Sequence, residues 1–230
     1  MQKTINGFLN FVLPNTCLGC ESVLEANENF LCKECNGQLE RYNETHPWQN
    51  EKISEGIIDN SLSVYWFRES TPVQHIFHAL KYQKMKRAGI MLGEEIGNVL
   101  LENNIRGYDI IIPVPLHKAK QRDRSYNQSD YIAEGISTKL NLPVHKNIVG
   151  RNRFTPSQTK LNKSERRVNV EGAFEVLDCP QIAGKNIILC DDVITTGATI
   201  LECASALKKA GAEKILACSA AYAELKLNVS

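Results

Sequence analysis

Ile187-Ile188-Leu189-Cys190-Asp191-Asp192-Val193-Ile194-Thr195-Thr196-Gly197-Ala198-Thr199 decides how the rest of the chain is read. Its apolar start suits a strand buried on both faces of a parallel sheet. Two carboxylates stand where that strand is expected to end, followed by two threonines and a glycine. Behind them Ile200, Cys203, Ala204 and Leu207 recur at helical spacing. Strand, turn and helix in that order put the turn at the carboxyl edge of an α/β sheet, where such sheets bind ligands.

The turn has the parts of a phosphate cradle. Backbone N–H groups entering a helix N-terminus present partial positive charge, and Thr195, Thr196 and Thr199 add hydroxyl donors around Ala198. Gly197 lets the backbone approach an anion closely. A bare phosphate gains nothing from two adjacent carboxylates. Asp191 and Asp192 fit a ligand that carries hydroxyls or a cation beside its phosphate, as a ribose 5-phosphate does. Acids that merely cap the helix are the alternative. The agreement of apolar run, acids, donors and glycine favours the ligand.

These residues resemble the phosphoribosyl pyrophosphate (PRPP) loop of type I phosphoribosyltransferases. The resemblance implies that Asp191 and Asp192 hold the ribose 2- and 3-hydroxyls, and that Thr195, Thr196, Gly197, Ala198 and Thr199 wrap the 5-phosphate.

At 230 residues the chain fits one large domain, or one domain with a small module. It is 43% hydrophobic, enough for a sizeable core, and 27 Lys+Arg against 26 Asp+Glu leave no global field to recruit nucleic acid or membrane. Residues 5–13 are too short and polar for a signal or transmembrane helix, and no other stretch suits membrane insertion. A cytoplasmic protein is expected.

Eight cysteines fall into two groups. Cys179, Cys190, Cys203 and Cys218 are scattered and read as small core hydrophobes. Cys17-x-x-Cys20 and Cys32-x-x-Cys35 are two knuckles whose four thiolates can close a tetrahedral Zn²⁺ site. Redox Cys-x-x-Cys pairs or a disulfide framework are the alternatives, and a reducing compartment disfavours the latter. Four cysteines leave no open position for water, so the zinc would be structural.

Along the chain, a short amphipathic helix is expected over residues 2–13, and a polar linker over 36–60. A strand over 61–67 precedes a helix with Val73, Ile76, Phe77 and Leu80 on one face. Lys81, Lys84, Lys86 and Arg87 cluster at that helix's end, where cations complement its dipole. His75 and His78 read as ordinary helix histidines. A second helix is expected over 93–103.

Ile110-Ile111-Ile112-Pro113-Val114-Pro115 reads as a buried strand, and the Lys118, Lys120, Arg122 and Arg124 that follow it suit a pyrophosphate. Then come a helix over 127–140 and a third parallel strand over 143–149. Residues 150–170 lack a hydrophobic period and carry Arg151, Arg153, Lys160, Lys163, Arg166 and Arg167 against Glu165 alone, which reads as a basic lid. Residues 172–176 resume as a strand, and 214–220, after a helix stop at Gly211, read as the last buried strand.

A four-cysteine knuckle, then Pro-Val-Pro-Leu-His-Lys, Asn127-Gln128, Arg151-x-Arg153-x-Thr155-x-x-Gln158-x-x-Leu161 and Arg166-x-x-Asn169-Val170-x-Gly172-Ala173-Phe174, in that order, resembles the ComF (ComFC/GntX-like) proteins of bacteria. Two positions depart from that family: Ser125 replaces the glycine after Arg124, and Lys84-Met85-Lys86 lacks the glycine usual after Lys81-Tyr82. The resemblance implies an α/β, type I phosphoribosyltransferase-like parallel sheet flanked by helices, with a small N-terminal four-cysteine zinc module. The divisions expected are a zinc-binding knuckle module over 1–45, a linker over 46–60 and a phosphoribosyltransferase-like domain over 61–230. It further implies PRPP with Mg²⁺ as ligand, and DNA uptake in natural transformation with single-stranded DNA and other DNA-uptake proteins as partners.

The expected chemistry is transfer through an oxocarbenium-like step, with Mg-pyrophosphate leaving and Asp191 and Asp192 stabilising the cationic sugar. Lys118, Lys120, Arg122, Arg124, Arg151, Arg153, Gln158 and Arg166 are the candidates for pyrophosphate and lid. A module that senses PRPP without transfer and binds single-stranded DNA is the other reading, since residues 139–167 hold eight Lys or Arg against one acid.

Overall fold

A sheet of four parallel strands carries the molecule. The computed structural model describes residues 15–116, 124–151 and 172–224. Its elements run α1 (Lys33–Gly37), α2 (Gln49–Ser54), β1 (Asn60–Trp66), α3 (Pro72–Tyr82), α4 (Lys86–Glu102), β2 (Ile110–Pro113), α5 (Gln128–Leu140), β3 (Val149–Arg151), β4 (Phe174–Val176), β5 (Asn186–Ile194), α6 (Ala198–Lys209) and β6 (Lys214–Tyr222). The sheet order is β1-β6-β5-β2, and each pairing within it is parallel.

The apolar run of β5 is continuous because both faces are covered. Ile188 and Cys190 join Val73 and Phe77 of α3, Leu92 and Ile96 of α4 and Ile132 and Ile136 of α5 in one core. Ile187 and Leu189 join Ile200, Cys203 and Leu207 of α6 in the other. Successive residues of a strand point to opposite faces, so a strand sandwiched this way needs apolar residues at every position.

The structure moves several expected boundaries. β5 does not stop before the acids but runs through them to Ile194, because β6 pairs with it as far as Ile194↔Tyr222. β2 pairs only as far as Pro113↔Cys190, so Asp191 and Asp192 lie just past the end of one neighbour. The strand expected over 143–149 reduces to a single parallel bridge, Ile111↔Val144. Beyond it the chain turns away, and β3 pairs antiparallel with β4.

α4 starts at Lys86 instead of Gly93. Gly89, Gly93 and Gly97 dilute its apolar pattern, yet they are the residues that face α5: a Cβ on each would meet Tyr131, Ile132 and Lys139 respectively. Cys190, Cys203 and Cys218 are buried as expected, whereas Cys179 is exposed at the start of a surface 3₁₀ turn. The polar stretch 36–60 contains α2 and a buried His46. The helix expected over 2–13 lies outside the described residues. Among the described residues no helix is long and apolar enough to cross a membrane.

The α4–α5 approach gives a direct test of the fold. A Cβ on Gly135 would sit 2.0 Å from the Ile90 carbonyl oxygen and 2.8 Å from Gly93 Cα. Gly135→Ala must therefore push α4 and α5 apart, and urea unfolding should show a loss of about 2–3 kcal/mol. Gly37→Ala, with no neighbour within 4 Å of its Cβ, should stay within about 0.5 kcal/mol of the parent.

Candidate functional site

At the carboxyl ends of β2 and β5 lies a cavity of about 380 Å³. Asp191 and Asp192 line it, as do Thr195, Thr196, Gly197, Ala198 and Thr199, with Lys81, Arg124, Gln128, Ser129 and Arg151 from other elements. Described residues separated by more than a hundred positions in sequence thus meet in one place.

The turn into α6 is built for close approach. Gly197 is the N-cap at φ +77°, a left-handed conformation that favours glycine, and a Cβ there would lie 2.7 Å from the Trp48 ring. Gly197 offers no side chain to cap α6, and among the described residues only Thr196 Oγ1, at 3.4 Å from Ala198 N, meets its first N–H groups from a nearby side chain. Trp48 stacks on His46 with ring centroids 4.8 Å apart and planes 5° from parallel. His46 is fixed in turn by Ser61 Oγ at 2.6 Å and Ser63 Oγ at 2.9 Å. Burial pushes His46 down to about 4, so the imidazole is neutral. Residues that read as linker therefore brace the turn into α6.

The two acids are not equivalent. Asp191 Oδ1 accepts from Ser129 Oγ at 2.9 Å and from Asp192 N–H at 2.8 Å. Burial, and then the charge of Asp192, push Asp191 from its ordinary 3.8 up to about 7. Burial also opposes the charge on Asp192, but Lys81 Nζ lies 2.8 Å from Asp192 Oδ2 and Val193 N–H donates to Oδ1 at 2.7 Å. Together these hold Asp192 below the usual carboxylate range. One acid is a firm anion, and its neighbour titrates near neutrality.

Lys81 is the site residue that the charge pattern missed: its position in the last turn of α3 suggested only a dipole partner. The usable signal was the Lys81-Tyr82 pair of the ComF pattern. Of the pyrophosphate and lid candidates, Arg124 and Arg151 line the cavity. Burial pushes Arg151 down, against the pull of Asp191. Lys118, Lys120, Arg122, Arg153, Gln158 and Arg166 lie outside the described residues.

The four N-terminal cysteines form a second centre. The Sγ atoms of Cys17, Cys20, Cys32 and Cys35 all lie within 4.8 Å of one another, and Cys20 and Cys32 are 3.8 Å apart. A tetrahedral Zn–S shell at about 2.3 Å has an edge of roughly 3.8 Å, so the cluster fits that ion. Gly19 and Cys32 N–H both point at Cys17 Sγ at 3.3 Å, the outer-shell support that thiolate ligands use. The knuckle is seated on α3. His75 Nδ1 donates to the Gly19 carbonyl, and a Cβ on Gly19 would meet Cys35 Sγ at 2.7 Å and Pro72 at 3.3 Å.

The unequal acids predict opposite pH signatures. Asp191 has a folded value above its unfolded one, so the folded chain binds the extra proton, and stability from this group falls as pH rises from about 4 to about 7. Asp192 is shifted the other way: its contribution is present above the unfolded value and is lost as pH falls below it. At pH 8, Asp191→Asn should raise Tm by roughly 3–6 °C, while Asp192→Asn, which strands Lys81, should lower it. At pH 4.5, where Asp191 is already protonated, Asp191→Asn should melt close to the parent. Thermal melts at the two pH values read both.

The chain is similar to known proteins. Residues 125–227 match the phosphoribosyl transferase domain family. Competence protein F of Haemophilus influenzae is 28% identical over 214 residues, covering 91% of each chain. DNA utilization protein YhgH of Escherichia coli (strain K12) is 29% identical over 63% of this chain and 64% of its own. Competence protein ComFC of Bacillus subtilis (strain 168) is 34% identical over 44% of this chain and 39% of its own. Among solved structures, adenine phosphoribosyltransferase from Saccharomyces cerevisiae aligns with a TM-score of 0.39 at 14% identity, over 84% of this chain and 87% of its own. The chain is a homologue of these competence and DNA utilization proteins, and its residues 125–227 match the phosphoribosyl transferase domain family.

Proposed function

We propose that the chain binds PRPP as its magnesium complex and transfers the phosphoribosyl group to an acceptor nucleophile, in the service of DNA uptake. One observation carries this reading: two adjacent carboxylates and an uncapped, glycine-led helix start line the same cavity. A phosphate alone explains the helix start, and a sugar diol alone explains the acids. A phosphoribose explains both.

In this reading the 5-phosphate sits on residues 195–199 and the ribose 2- and 3-hydroxyls donate to Asp191 and Asp192. The bond from the anomeric carbon to pyrophosphate breaks with its electron pair leaving on pyrophosphate. The acceptor's lone pair then forms the new bond, and the acceptor gives up a proton. As the sugar becomes cationic, the fixed anion of Asp192 and the titrating Asp191 stabilise it through its hydroxyls. Lys81, Arg124 and Arg151 supply positive charge on the pyrophosphate side, and Lys118, Lys120, Arg122, Arg153, Gln158 and Arg166 are assigned there by sequence. Carboxylate and phosphate oxygens suit Mg²⁺, which when bound neutralises the leaving group. The names of the relatives support the proposed role in DNA uptake, with single-stranded DNA and other uptake proteins as partners.

Calorimetric titration with PRPP, with and without Mg²⁺, tests the binding step. Affinity should require Mg²⁺ and fall at least about tenfold in the Asp191→Asn/Asp192→Asn double variant, which loses charge-assisted acceptors. Undiminished affinity in that variant sinks the reading. Pyrophosphate release against a panel of amine and nucleobase acceptors then separates transfer from sensing, because binding without release under every acceptor favours a sensor.

Zinc in the four-cysteine cluster belongs to the same proposal. Elemental analysis should find about one zinc per chain, and chelation should lower Tm, since Cys17 and Cys35 share a core with Val73 and Phe77 of α3. Protein that melts unchanged after its metal is stripped would speak against a structural ion.

A further inference from the structure

Gln128 opens α5, lines the cavity and is 2% exposed. Its Oε1 accepts from Arg124 Nη1 at 3.0 Å. A guanidinium only donates, so this bond decides which end of the amide is oxygen. The NH₂ is thereby the end turned away from Arg124, and Nε2 is buried without a hydrogen-bond partner among the described residues. Leaving a buried donor unpaired is costly, and a hydrocarbon of the same size would avoid the cost. An acceptor that arrives with the ligand accounts for the amide.

The neighbouring side chains narrow where that acceptor lies. Ser129 Oγ is committed to Asp191, and Asn127 Nδ2 to the Val114 carbonyl at 3.0 Å and to Asp130 Oδ1 at 2.8 Å. Among these three polar residues, Gln128 alone keeps an uncommitted donor. Asn127 ties this corner to the segment just past β2, whereas the phosphate turn follows β5. Gln128 and Arg124 therefore belong to a different strand end from residues 195–199, and a ligand that reaches both ends needs a second acceptor group, for which the Arg124 charge favours an anion.

We propose that Gln128 is a binding residue that donates from Nε2 to a pyrophosphate oxygen of the sugar ligand, with its amide oriented by Arg124. The inference rests on the PRPP reading and assigns a residue that reading does not need. Arg124 supplies charge. Gln128 supplies direction, because an amide held by one end can offer its protons along a narrow set of vectors.

The test uses the full chain, Gln128→Leu and Gln128→Glu, titrated with Mg·PRPP and separately with ribose 5-phosphate, which lacks the pyrophosphate. The leucine variant should melt no lower than the parent, bind PRPP about tenfold to a hundredfold more weakly, and bind ribose 5-phosphate within about threefold of the parent. Gln128→Glu keeps a partner for Arg124 but replaces the donor with an acceptor. It should show the same split, and it decides the matter if the leucine variant does not fold. A variant that binds PRPP like the parent overturns the inference and leaves the PRPP reading standing. Equal losses for both ligands would make Gln128 a structural residue and overturn it as well. A parent protein that binds no PRPP brings down the reading and the inference together.

Discussion

Asp191 and Asp192 are forced side by side where β2 has ended and β5 continues, and two carboxylates in a poorly solvated site resist sharing charge. Lys81 resolves the conflict for one of them. Its ammonium, 2.8 Å from Asp192 Oδ2, keeps that acid ionised and leaves Asp191 to take the proton. The consequence reaches far along the chain, because Lys81 sits in the last turn of α3 while the first turn of α3 is gripped by the cysteine knuckle through Pro72 and His75. Eleven residues of helix, roughly 16 Å, join the two as one stiff rod. The same helix thus contacts the cysteine knuckle at one end and the acids of the cavity at the other.

The glycine-led turn of the cavity depends on an uncharged support. Gly197 can lie against Trp48 only because it has no Cβ, Trp48 lies flat on His46, and His46 is locked by Ser61 and Ser63. Ser63 meets Ser219 of β6 at 2.7 Å, which ties the stack to the centre of the sheet. A histidine that charged near neutrality would make this support pH-dependent. Burial to about 4 removes that sensitivity, so above pH 5 or so the titration left in the cavity belongs to the acids.

The sequence made the sheet legible wherever burial on both faces enforced an unbroken apolar run, as in β2 and β5. It made the glycine-led turn before α6 legible because backbone donors, hydroxyls and a glycine stand there in one contiguous run. Strand ends were harder to place. Whether β5 stops at Cys190 or at Ile194 is decided by how far β6 accompanies it, a fact held in residues 214–222. The start of α4 was hidden for a related reason: its glycines weaken helix propensity locally and are repaid only by contact with α5. Lys81, His46 and Trp48 act through distant partners, and no local pattern marks such residues.

The ComF pattern places glycines where this chain has none, and the backbone shows what the departures cost. Lys84 adopts φ +58° and Ser125 φ +67°, both in the left-handed region that favours glycine. Each lies close to a cation of the cavity. Lys84 follows the C-cap of α3, just beyond Lys81, and Ser125 turns the chain from Arg124 toward α5. A side chain in this conformation costs about 1–2 kcal/mol, but glycine there would give back roughly 0.5–1 kcal/mol through the freer unfolded chain. The net strain at each turn is therefore small against the packing of the helices beside it. Lys84 and Ser125 thus hold the backbone conformation that glycine favours, and Lys81 and Arg124 beside them line the same cavity.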